Sequence, residues 1–171
     1  MRNGLLGLLT VACAGCGLLP VEPADLDDVP PAILVAGMET QTAGIVGFCW
    51  SRGGGIFAEV STCTVDGSFL APSRPLPVKP AQRFQVVLPE GEGPAEVEVC
   101  WMHSGTAALA EGEELWNAWD PPSEDCEQRS SVEVLSLEAP RPSGHHALSV
   151  FADWSQSKNY ASYGFYLVVM P

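Results

Sequence analysis

Residues 147–154 read ALSVFADW and residues 163–170 read YGFYLVVM, and these two runs decide the fold class. In the first, Leu148, Val150, Ala152 and Trp154 alternate with Ala147, Ser149, Phe151 and Asp153. A period of two belongs to a strand. The second run is apolar on both faces, which predicts a central strand covered on both sides. Working outward, Val97, Val99 and Trp101 alternate with Glu96, Glu98 and Cys100, and Phe84, Val86 and Leu88 repeat the pattern. Val132 and Val134 alternate with Ser131 and Glu133. Ile33–Ala36 and Ile45–Trp50 are short apolar runs, the second bracketed by Gly44 and Gly53-Gly54-Gly55. Phe57–Val65 ends at Asp66-Gly67, a strong turn signal. Pro72–Pro80 cannot be a central strand, because proline donates no ladder hydrogen bond, so it reads as an edge or polyproline segment. About eight strands at this spacing predict an all-β, immunoglobulin-like antiparallel β-sandwich. Thr106–Trp119 partly matches a helical period but has Gly112 in its middle, leaving a short helix and an irregular loop both open.

The 17 glycines and 15 prolines suit many turns between short strands. The formal net charge is −13, and such a surface repels nucleic acid and anionic lipid headgroups. No nucleic-acid partner is expected.

The N-terminus is separate from this pattern. Arg2, the apolar run Leu5–Ala12 and the small residues before Cys16 resemble a bacterial lipoprotein signal. The run is too short to span a bilayer as a helix. Cys16 follows Ala14-Gly15, and Cys13 follows Val11-Ala12, so either could be the lipidated residue. Cleavage before Cys16 discards Cys13 and leaves Cys49, Cys63, Cys100 and Cys126, an even set; cleavage before Cys13 leaves a stray thiol. The reading is therefore a signal peptide over 1–15, lipidation at Cys16 (palmitate among the acyl groups), an acidic Pro-rich tether over 16–31 and a β-sandwich over 32–171. The expected location is the bacterial cell envelope, anchored to a membrane through the N-terminal lipid and facing away from the cytoplasm.

Four cysteines allow three pairings. Nearest neighbours, Cys49–Cys63 and Cys100–Cys126, are expected, each closing one loop. Alternation puts Cys100 beside Glu96 and Glu98, which predicts a surface staple rather than an inter-sheet bridge. An immunoglobulin-type Cys49–Cys100 bridge would bury those carboxylates. With no C-x2-C pair, a zinc site is not expected.

Several constellations invite chemistry. Cys100-Trp101-Met102-His103 contains three copper-ligand types, but strand neighbours point to opposite faces, so His103 cannot share a face with Cys100 and Met102. His145-His146 point apart for the same reason and are expected at a turn or edge. No G-x-S-x-G occurs, and nothing fixes a triad. Glu113-Glu114 and Glu124-Asp125 offer carboxylates for calcium without an EF-hand pattern. Trp116 and Trp119, inside the loop that Cys100–Cys126 would close, are candidate binding residues or core caps, and Tyr160, Tyr163 and Tyr166 lie on or near the last strand.

Gly47-Phe48-Cys49-Trp50 followed by Thr62-Cys63-Thr64-Val65-Asp66 resembles a GxFCW…CxVD pattern of uncharacterised bacterial secreted and lipoprotein domains. Those domains are also similar in a P-x-V-x-P segment, here Pro75–Pro80, and an aromatic C-terminal strand. The resemblance implies a sandwich but no activity. The resulting expectation is a non-catalytic envelope module, not an enzyme, with no cofactor, no metal site and no catalytic residue. Its partner would be an envelope protein or glycan. The alternative is a metal-handling lipoprotein, for copper or calcium, and behind it an envelope hydrolase.

Overall fold

A computed structural model describes residues 29–52, 60–64, 74–89, 94, 96–105, 126–130, 133–154 and 158–171. Cys16, residues 16–28 of the tether, Trp116, Trp119, both acidic pairs and the Thr106–Trp119 segment lie outside the described residues, whereas Val29, at the end of the expected tether, is buried in the core. Among the described residues every regular element is a strand. They are β1 (Ile33–Ala36), β2 (Glu39–Thr42), β3 (Gly44–Arg52), β4 (Val60–Thr64), β5 (Leu76–Val78), β6 (Arg83–Val87), β7 (Glu96–Gly105), β8 (Cys126–Ser130), β9 (Val134–Glu138), β10 (Gly144–Trp154) and β11 (Asn159–Val169).

Two sheets result, a four-stranded one in the order β2-β1-β6-β9 and a seven-stranded one in the order β4-β3-β11-β10-β7-β8, with β5 against β11. Pairing is antiparallel except for β5, which runs parallel to the end of β11. The sandwich class is therefore as expected from the alternation. The core between the sheets takes Leu34 and Val86 from one side and Leu148, Val150, Phe165 and Leu167 from the other, all fully buried. β11 lies mid-sheet with seven consecutive buried residues, Ala161–Leu167, as its two apolar faces predicted.

Three strands do not follow from hydropathy. β2 (ETQT) and β8 (CEQRS) are mostly polar, and β5 contains Pro77. Each lies at a sheet margin, where backbone ladders can hold a strand without an apolar stripe. One phase was also reversed. Val134 is 42 % exposed, while Leu135 and Leu137 point inward, opposite Val86 and Phe84 of β6. The larger leucines win the inward face because they bury more apolar area.

Both disulfides follow nearest-neighbour pairing and join directly opposed residues, Cys49–Cys63 across β3/β4 and Cys100–Cys126 across β7/β8. Each fastens an edge strand to the seven-stranded sheet. The second is an intra-sheet staple as expected, but Cys100 is 4 % exposed, so it is not on the surface. Small neighbours on the same outer face, Ser149 and Ala147, are buried with it.

Tyr163 is a core residue whose hydroxyl donates to the Pro30 carbonyl at 3.0 Å. Burial raises its phenol well above the usual tyrosine range. A raised phenol keeps its proton in the fold while the unfolded chain ionises, so its stabilisation is complete below about pH 10 and declines as pH rises further. Tyr163→Phe is expected to cost about 1 kcal/mol at neutral pH through the lost hydrogen bond, and to flatten the alkaline decline. Urea unfolding at neutral and alkaline pH checks both; an alkaline slope unchanged by the substitution contradicts the assignment.

Candidate functional site

The functional candidates lie toward the β7/β8 edge of the large sheet. On β7 the alternation sends Val97, Val99 and Trp101 inward, and the register sets Arg129 opposite Val97 and Glu127 opposite Val99. The last strand of the sheet thus carries charged groups where its neighbour carries core. There the sandwich opens into a groove of about 760 Å³, lined by β6, β9, Trp101, Glu127 and Arg129. Trp101 is half-buried, edge-on to Phe84 at 6.0 Å and to His146 at 6.4 Å. The Arg129 guanidinium meets Glu127 at 2.9 Å, and its buried Nε has no acceptor among the described residues. Arg83 is the direct register partner of Glu138.

On the opposite face of the same two strands, Glu98, Cys100 and Cys126 bring a carboxylate oxygen and two sulfurs within 4.8 Å of one another. Glu98 Oε1 is 3.7 Å from Cys100 Sγ, a contact rather than a hydrogen bond because a bridged sulfur has no proton. Gln128 Nε2 donates to the other Glu98 oxygen at 3.4 Å. The cluster resembles a metal-ligand set only with the bridge open, since thiolates are the ligands.

The histidines are not where the sequence put them. His145 and His146 do point to opposite faces, but both lie in β10, an interior strand of the sheet. His146 is buried, with Nε2 2.9 Å from the Pro142 carbonyl, while His145 Nδ1 lies 2.7 Å from the Tyr166 hydroxyl. A bulge at this point sets position 103 of β7 directly opposite 146, a juxtaposition invisible in sequence because the two lie 43 positions apart. Tyr163 and Tyr166 are buried, which removes them as surface recognition residues. The groove was missed altogether. Its one local signal is the charged pair Glu127/Arg129 at inward phase, readable only once β8 is known to be a strand.

No protein-family model and no characterised protein matches the sequence. Solved structures with a similar outline include AA10A of T. fusca (13 % identity, TM-score 0.39, covering 59 % of this chain and 54 % of that one). LPMO10B of Micromonospora aurantiaca is another (14 %, TM-score 0.39, 59 % and 56 %), as is a chitin binding domain of Burkholderia pseudomallei (12 %, TM-score 0.35, 57 % and 57 %). The similarity spans little more than half of each of these chains. At these TM-scores it assigns neither a family nor an activity. One expectation does not stand, that this chain is a non-catalytic module, not an enzyme: Glu98, Cys100 and Cys126 form a group that could hold a metal ion. It rested on missing linear motifs, and catalytic groups converge in space from separate strands. The two disulfides fit an oxidising compartment, outside the cytoplasm.

Proposed function

We propose that this protein handles a thiophilic metal ion, copper(I) in the first instance, outside the cytoplasm, held at a membrane by lipid on Cys16. The observation that carries the reading is the convergence of Glu98, Cys100 and Cys126 within 4.8 Å. The anchor rests on Arg2, the apolar run Leu5–Ala12 and the cysteine count. Soft thiolates select copper(I) over hard cations, and the adjacent carboxylate adds charge and a hydrogen-bond acceptor.

In the oxidised state the sulfurs are tied to each other. A dithiol reductant passes two electrons to the bridge and is itself oxidised to a disulfide. Each sulfur takes up one proton, and metal binding displaces both. Cys126 is half-buried while Cys100 is not exposed, so attack is directed at the Cys126 sulfur and makes Cys100 the leaving thiol. The site would therefore load only under reducing conditions.

Reduced protein is expected to bind one equivalent of copper(I) in competition with a chromogenic chelator, and oxidised protein none. Cys100→Ala/Cys126→Ala should abolish that equivalent and Cys49→Ala/Cys63→Ala should preserve it. Equal binding by both double variants, or none by folded reduced protein, overturns the reading.

A further inference from the structure

We propose that the groove beside Trp101 is a binding site for a neutral polyhydroxylated ligand, an oligosaccharide of about two or three units in a cavity of ordinary small-molecule size. This inference is independent of the cysteine cluster, which lies on the other face of β7 and β8. Three observations carry it.

The first is charge. The chain carries −13 overall, yet the groove gathers two arginines and two glutamates in matched pairs. Arg129 is ion-paired with Glu127 at 2.9 Å, and Arg83 is aligned with Glu138 across β6/β9. Two cations and two anions give the lining no net charge. The Arg129–Glu127 pair sets a planar donor beside an acceptor, and vicinal hydroxyls, each donor and acceptor, match it.

The second is Trp101. Its indole is half-buried and set at 88° to both Phe84 and His146, so its position is fixed by packing before any ligand arrives. A fixed aromatic surface takes the apolar C–H face of a sugar at little entropic cost.

The third is the Arg129 side chain, which lines the groove and stays partly exposed beside Glu127. A guanidinium carries several N–H donors, and the Glu127 contact through one terminal nitrogen leaves others to meet a ligand hydroxyl. Gln85, exposed on β6, adds a further amide to the lining.

The test is calorimetric titration of the intact oxidised protein with maltotriose, cellotriose and raffinose, and with trigalacturonate as an anionic counterpart. At least one neutral sugar is expected to bind, with trigalacturonate weaker. Arg129→Gln should weaken binding about tenfold through loss of a charge-assisted hydrogen bond. Trp101→Leu should weaken it by more, but it also removes packing against Phe84 and His146. The Arg129 variant, at the partly exposed sheet edge, separates ligand loss from misfolding, with circular dichroism confirming the fold. Failure of all three neutral sugars, preference for trigalacturonate, or binding unchanged by Arg129→Gln would each overturn the proposal. None of these outcomes alters copper uptake by the reduced protein, so the two proposals fail separately.

Discussion

Cys100→Ala/Cys126→Ala is expected to lose about 3–4 kcal/mol of unfolding stability at 25 °C. The two residues are 26 apart in sequence and directly opposed across β7/β8. In the chain-entropy picture the bridge removes loop freedom from the unfolded state, and the gain grows slowly with loop length. Cys49→Ala/Cys63→Ala, whose partners are 14 apart in sequence, should cost about half a kcal/mol less. The first bridge also has a local duty. β8 has no fully buried residue, so side-chain burial contributes little to holding it. Without the bridge, β8 should fray before the rest of the sheet unfolds, taking Glu127 and Arg129 away from the groove. Chemical denaturation measures the global loss, and hydrogen exchange along β7 and β8 measures the fraying. A loss under about 1 kcal/mol, with β8 amides still protected, would show that the backbone ladder suffices.

Gln41→Leu is expected to cost about 3 kcal/mol, although the new side chain is apolar and of similar size. On one side β11 pairs with β3 as far as Gly164, then with β5 from Leu167. Tyr166 falls in the gap between them. The Gln41 side chain fills that gap like a short piece of strand. Its Oε1 accepts from the Tyr166 amide at 2.9 Å, and its Nε2 donates to the Tyr166 carbonyl at 3.0 Å and the Arg74 carbonyl at 2.8 Å. Gln41 sits on β2, in the other sheet, so one amide both completes the β11 ladder and ties the sheets together. Leucine would deprive three backbone groups of these partners in a site only 8 % exposed. Gln41→Glu keeps the acceptor but loses both donated bonds, and should also destabilise. Urea unfolding and exchange of the Tyr166 amide report the effect; a Leu variant within about 1 kcal/mol of the parent would refute it.

The Gln41 plug marks a limit of sequence reading. ETQT over 39–42 carries no apolar period, so neither the strand nor its buried glutamine is legible there. The same holds for CEQRS at 126–130, which is a strand because Cys126 is bridged and β7 offers a free edge. Where a strand is defined by burial, as in β1, β6, β10 and β11, hydrophobic periodicity located it directly. At Val134 periodicity misled, because two phases were apolar and only the facing β6 residues could choose between them.

Several properties were determined by the sequence alone: the all-β class, the central place of β11, the nearest-neighbour cystines and the separation of His145 from His146 onto opposite faces. All are local, set by alternation, cysteine spacing and the turn residues between strands. The tertiary structure decided what depends on which strands meet: the order of the seven-stranded sheet, the gap that Gln41 fills, the approach of Glu98 to both sulfurs, and the groove at Trp101. Pairing across a sheet brings together positions far apart in the chain, and their register is a property of the whole packed core. That is why the strands were readable from the chain, while both candidate sites had to wait for the fold.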